Sequence, residues 1–246
     1  MSRELMTGKE PVILFVSATI REMESFAAGN ISAEVLHQKK TCNVLGKEVG
    51  FLVCGMGLLN ASIALEKFLS GNNSVSHVIN IGIAGSYDLQ RIPMSAVCIA
   101  SGELWPEYGA RCGYYFADAR ELGFPLHRSE DRVIWNHLDF DNQTFLKETG
   151  LGLENSWHEG HGITVAGVST SEEHARQLKK DFNGDMENME GFALAYCCYL
   201  RSIPFMEVRT ISNLAGSRNK SEWDFKGALG GLKSVWKGLW AEHVQK

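Results

Sequence analysis

No apolar run in the chain approaches the ~20 residues of a membrane-spanning helix. The longest, Phe192 to Leu200, has nine residues, so no membrane partner is expected. The opening residues, MSRELMTGKE, carry charges and lack the apolar stretch of a secretory signal, and a cytoplasmic location is expected. Excess positive charge is also missing: 24 Lys and Arg face 29 Asp and Glu, a net charge of −5. That excludes a nucleic-acid backbone as the expected partner. No CxxC pair occurs among Cys42, Cys54, Cys98, Cys112, Cys197 and Cys198, which removes zinc knuckles and thioredoxin-like redox motifs. Six free, mostly buried thiols in a reducing compartment are expected. Among eight histidines the nearest pair, His158 and His161, encloses Glu159 as HExH. Two rings at that spacing do not share a helix face, so no metal is expected. There is no GxSxG elbow and no P-loop. Gly55-Met56-Gly57 begins like a dinucleotide fingerprint, but Asn60 stands where its third glycine belongs, and no cofactor is expected.

What is present is a core-forming α/β pattern. At 246 residues and 44% hydrophobic, the chain buries a sizeable core without disulfide or metal staples. Glycine, 25 residues or about 10%, exceeds the usual ~7% and fits many tight strand-to-helix turns. Strands are expected at Val12 to Ser17, Glu48 to Cys54, His77 to Ile83, Ala96 to Ala100, Gly162 to Val168 and Ile203 to Ile211. Helices are expected at Leu58 to Leu69, Glu172 to Leu178, Glu190 to Leu200 and Ser221 to His243, the second capped by Ser169, Thr170 or Ser171. Such alternation predicts a mostly parallel sheet with helices on both faces. A single domain over 1–246 is expected, with a polar tail at 1–10 and an irregular insertion at 103–153 of the kind that forms binding loops.

Candidate chemistry gathers at strand ends. Ile81-Gly82-Ile83-Ala84-Gly85-Ser86 closes a strand with small residues that admit a ligand to the backbone, although a plain turn fits as well. Glu22 follows the first strand, where a carboxylate can act as a general base or simply be solvated. Glu187 and Glu190 precede an apolar helix, where Glu190 can also complement the helix dipole. Asn213 ends the last strand, in a position equally suited to a turn.

Taken in order, Ser17 to Glu22, Gly55-Met56-Gly57-Leu58-Leu59-Asn60-Ala61, Gly82-Ile83-Ala84-Gly85, Asn188-Met189-Glu190-Gly191 and Val208-Arg209-Thr210-Ile211-Ser212-Asn213 resemble the nucleoside phosphorylase superfamily. They are most similar to its nucleosidase branch, which includes the methylthioadenosine/S-adenosylhomocysteine nucleosidases. Within that branch, Glu103-Leu104-Trp105-Pro106-Glu107-Tyr108-Gly109, Leu122-Gly123-Phe124-Pro125 and Arg218-Asn219-Lys220-Ser221-Glu222-Trp223 resemble the futalosine hydrolases. So does Asn213, which stands where the methylthioadenosine enzymes carry Asp.

The resemblance implies a three-layer α/β/α sandwich with a mixed central sheet, and a homodimer. It implies hydrolysis of the N-glycosidic bond of futalosine, releasing hypoxanthine, in menaquinone biosynthesis. The alternatives are an adenine-releasing nucleosidase acting on methylthioadenosine, S-adenosylhomocysteine or aminofutalosine, and a catalytically silent nucleoside-binding protein. By the same resemblance Glu22 matches the water-orienting base. Glu190 matches the carboxylate on the ribose hydroxyls, with Met189 packing under the sugar. Asn213 matches the residue facing the purine's imidazole side, and Ser169 and Thr170 a segment on the base. Ile83, Ala84 and Gly85 match the strand end against the substrate. Trp223 matches an aromatic of the 5′ pocket, with Arg218 or Lys220 near the substrate's carboxylate. Phosphorylases of the superfamily place Arg and Ser where this chain has Asn80 and Ile83, which removes the groups a phosphate dianion needs and favours water as nucleophile.

Overall fold

The structure, a computed structural model, describes residues 10–38, 41–112, 115–130 and 132–244. The tail at 1–9 and the Cys112 thiol lie outside the described residues. The first half of the chain forms β1 (Val12–Ser17), α1 (Ile20–Ala27), α2 (Ala33–Gln38), β2 (Cys42–Val44), β3 (Lys47–Val53), α3 (Leu58–Gly71), β4 (Val75–Ser86) and β5 (Val97–Leu104). Short elements follow: β6 (Gly109–Cys112), β7 (Tyr115–Asp118), α4 (Ala119–Leu122), β8 (His127–Arg128), β9 (Val133–Ile134), β10 (His137–Asp139) and α5 (Asn142–Thr149). The last third holds β11 (His158–Thr164), α6 (Glu172–Phe182), β12 (Met186–Asn188), α7 (Gly191–Leu200), β13 (Phe205–Leu214) and α8 (Phe225–Val244).

Nine strands form one mixed sheet in the order β10-β5-β11-β12-β4-β1-β3-β2, with β13 bridging β4 and β5. All six residues of β1 are buried, as expected of a central strand covered on both faces. It runs parallel to β3 and β4. On one face Phe15 and Phe51 pack against Phe26 of α1 and Trp236 of α8, with Phe26 and Trp236 ring centroids 5.1 Å apart. On the other face Leu14, Val16 and Leu52 meet Leu65 and Leu69 of α3 and the apolar α7. This is the three-layer α/β/α sandwich. Because β13 joins both β4 and β5, the strands β4, β13, β5, β11 and β12 close into a ring of paired neighbours. That closure brings the carboxyl ends of β4 and β13 beside β12.

Several expected boundaries move. The expected strand Gly162 to Val168 is β11 four residues earlier, and 166–168 is an exposed loop. The last helix opens at Phe225, not Ser221; Lys220–Glu222 form a separate 3-10 turn. The insertion at 103–153 is more regular than expected. It makes two hairpins, β6–β7 and β8–β9, then adds β10 antiparallel to β5 and buries Phe145 of α5 in the core. Strands of two to four residues are too short to show a period. Cys54, Cys98, Cys197 and Cys198 are buried free thiols and Cys42 is a partly exposed one. Among the described residues no helix is long and apolar enough to cross a membrane.

Candidate active site

Glu22 sits in α1, a helix absent from the sequence expectations, and it is buried rather than solvated. Thr19 caps the helix, and Thr19 and Glu22 form a reciprocal capping box. Glu22 Oε2 accepts from Thr19 N–H at 2.9 Å and Thr19 Oγ–H at 2.7 Å, and Oε1 accepts from Ile83 N–H at 3.0 Å. One carboxylate therefore ties the helix start to the end of β4 and is fixed in direction.

Glu190 is the N-cap of α7 and makes no side-chain cap bond to its own helix. Its Oε1 instead accepts from Gly57 N–H at 2.9 Å. Gly57 has φ +86°, a conformation that favours glycine, and this aims its N–H across to α7. Burial pushes the Glu190 carboxyl up, and Arg209 and the Gly57 bond pull it back. Arg209 lies between the two carboxylates. Its Nη1 is 3.8 Å from Glu190 Oε2, and a Cβ at Gly82 would come 2.6 Å from Nη1 and 2.9 Å from Glu22 Oε1. Only glycine at 82 admits both groups to that point.

Arg209 is fully buried and held by Glu207, Nε to Oε1 at 2.7 Å. Burial works against its charge, but Glu207 and Glu190 outweigh that and raise its pKa. Beneath it, Asn188 Nδ2 donates to Glu103 and Glu207 while Asn188 Oδ1 accepts from Glu190 N–H and Gly191 N–H. Burial and the facing Glu207 hold the Glu103 carboxyl well above the usual carboxylate range, which favours its neutral form. The network fixes the α7 start and with it Glu190.

Next to this network is a cavity of about 520 Å³ that Glu22, Ile83, Ala84, Gly85, Ser169 and Asn213 line. Met189, Glu190 and Trp223 line it as well. Asn213 Oδ1 accepts from Ser212 Oγ–H at 2.8 Å and Nδ2 donates one hydrogen to Leu214 O at 3.0 Å, leaving the second amide hydrogen for a ligand. Trp223 closes the 3-10 turn, its Nε1–H donating to Ser217 O at 3.1 Å and its ring tilted on Phe225 at 5.2 Å. Thr170 and Arg218 are exposed and outside the lining, and so is Lys220. Among the described residues the cation that lines the cavity is Arg21.

The sequence reasoning gave no role to Arg209, Glu207, Asn188 or Glu103. Alternation in Met206-Glu207-Val208-Arg209 was the available signal. Met206 and Val208 enter the α1/α8 core, which turns Glu207 and Arg209 together to the other face. Among the described residues no group of three or more His, Cys, Asp or Glu side chains is arranged to hold a metal ion.

Residues 13–231 match the phosphorylase superfamily, and the chain belongs to that family. It is an enzyme of the family's nucleosidase branch, an N-glycosyl hydrolase. It is 32% identical to the futalosine hydrolase of Thermus thermophilus over 78% of this chain and 81% of that protein. It is 31% identical to the 5′-methylthioadenosine/S-adenosylhomocysteine nucleosidase of Staphylococcus epidermidis over 77% of this chain and 80% of that protein. Among solved structures, a putative nucleosidase of the latter kind from Borrelia burgdorferi bound to adenine superposes with TM-score 0.70 at 20% identity, covering 94% of this chain and 99% of that one.

Proposed function

We propose that this enzyme hydrolyses the N-glycosidic bond of futalosine, releasing hypoxanthine and dehypoxanthine futalosine for menaquinone biosynthesis in the cytoplasm. The observation that carries this is the Asn213 amide, which lines the same cavity as Glu22 and Glu190. A cavity of about 520 Å³ is within the usual range for a small-molecule site. The ribose lies against Met189 with its hydroxyls on Glu190, a two-oxygen acceptor. Glu22 takes a proton from water as the water oxygen bonds to C1′, and the C1′–N9 electrons leave with the purine. The two carboxylates favour the positive charge that develops on the sugar. The purine regains a proton from solvent while Asn213 donates a hydrogen bond to its N7 and O6 edge. An amide donor there suits a 6-oxopurine, which presents two acceptors.

Ile83 N–H is engaged by Glu22, and Asn80 is buried outside the cavity lining, so neither serves a phosphate. A screen of futalosine, aminofutalosine, methylthioadenosine and S-adenosylhomocysteine is expected to show hypoxanthine from futalosine as the main product. Added phosphate is expected not to raise the rate. A sugar 1-phosphate product, or adenine as the preferred leaving group, would contradict the reading and favour the adenine-directed nucleosidase that several relatives are named for.

Trp223 and Arg21 form the wall for the 5′ end, where futalosine carries an aromatic carboxylate. Trp223→Ala and Arg21→Ala are each expected to cost futalosine about 3- to 10-fold in kcat/KM, the size of a lost ring contact of ~0.5–1.5 kcal/mol, and to spare inosine. Equal losses on both substrates would remove these residues from the 5′ pocket. A homodimer is part of the same proposal. Exposed Met56, Leu59 and Ile63, the last two one turn apart on α3, support it as an apolar face beside the cavity mouth.

A further inference from the structure

Glu187 has no part in the reaction described above, yet it is 4% exposed and lines the cavity. The sheet register explains how it gets there. Glu187 of β12 pairs with Gly85 of β4 from one side, and Asn213 of β13 pairs with the same Gly85 from the other. A Cβ at Gly85 would stand 3.1 Å from Asn213 Nδ2 and 3.4 Å from Glu187 Cγ. The two polar side chains thus flank one bare stretch of backbone, on which a flat ring can lie.

Three donors define the Glu187 carboxylate. Ser169 N–H donates to Oε1 at 3.1 Å, Ser169 Oγ–H donates to Oε2 at 2.7 Å, and Tyr87 O–H donates to Oε2 at 3.2 Å. Burial pushes the Glu187 carboxyl up, and these three donors pull it back toward the ionised, acceptor-only form. Oε1 carries a single hydrogen bond and keeps a lone pair. Ser169, expected to meet the base itself, has both its donors engaged on Glu187 and acts through it.

We infer that Glu187 determines base specificity by accepting the N1–H of a 6-oxopurine, while Asn213 serves the neighbouring acceptor edge. This rests on the purine position given under the proposed function. A 6-aminopurine in the same seat turns an N1 lone pair toward the carboxylate, so a donor-to-acceptor match becomes a repulsion. Mispairing one buried polar edge of this kind weakens binding about 5- to 150-fold.

The test is calorimetric binding of hypoxanthine and 1-methylhypoxanthine to the wild type and to Glu187→Ala. N1-methylation is expected to weaken binding to the wild type about 5- to 150-fold and to make little difference in Glu187→Ala. A methylation penalty of the same size in both proteins overturns the assignment, as does failure of the wild type to bind hypoxanthine. If Glu187→Ala does not fold, hypoxanthine labelled with 15N at N1 decides on the wild type alone. A downfield N1–H signal protected from water exchange supports the assignment, and its absence from the bound base overturns it. Hypoxanthine binding that depends on Glu187, with no purine release from any nucleoside, would support this assignment while overturning the proposed hydrolysis.

Discussion

Glu22→Gln is expected to lower kcat about 10²- to 10⁴-fold, the usual loss when a general base is removed, with KM nearly unchanged. The reasons are positional. Glu22 Oε1 faces the Gly82–Ile83 backbone beside Arg209, and its direction is set by Thr19 and Ile83. Glutamine keeps the size and is the other residue that a capping box accepts at this position, so the α1 start is retained. The amide, however, cannot take a proton from water. Steady-state kinetics with purine release as readout, alongside a thermal melt, separates a lost base from a lost fold. Near-normal turnover in a folded variant would remove Glu22 from the mechanism.

Arg209→Met is expected to destabilise the protein by about 3–5 kcal/mol, the cost of leaving buried charge without its partner. The carboxylates left without their cation are buried: Glu207 is 0% and Glu190 5% exposed. Without Arg209, Glu207 faces Glu103 with no cation at hand, and Glu190 loses its neighbour at 3.8 Å. At roughly 2–4 °C per kcal/mol for a chain of this size, Tm falls by about 6–20 °C. Glu103→Gln is the contrasting variant. Because Glu103 is held neutral, an amide in its place is expected to change Tm far less. A small change in Arg209→Met, or an equal loss in Glu103→Gln, would mean that the network does not carry its charge in this way.

Much of this site was legible before the structure, and the reasons are particular. Gly55-Met56-Gly57 followed by a helical rhythm located α3, and the structure shows Gly57 serving Glu190 across 133 residues of sequence. Glu22, Glu190 and Asn213 each fitted a plain structural reading alone and stood out only through the ordered segments that resemble the nucleosidases. Thr19-Ile20-Arg21-Glu22 carried a capping-box spacing that should have announced α1, but eight residues make a weak period. The insertion stayed opaque because its strands are too short to alternate. Arg218 was expected near the substrate because it shares with Trp223 a segment that resembles the futalosine hydrolases. The 3-10 turn at Lys220–Glu222 turns that segment outward and leaves Arg21, on the far side of the sequence, at the cavity. Glu187 was noticed only as a neighbour of Glu190. Its pairing with Gly85 depends on the closure of β12 onto β4, a long-range event that no local pattern reports.

The most direct measurement of the central claim is hydrolysis of futalosine in 18O-water without phosphate, with both products identified by mass spectrometry. The account predicts unlabelled hypoxanthine and one 18O atom on the anomeric carbon of the sugar product. Absence of hypoxanthine, or a sugar product whose anomeric oxygen carries no label under conditions that exclude later exchange, would contradict it.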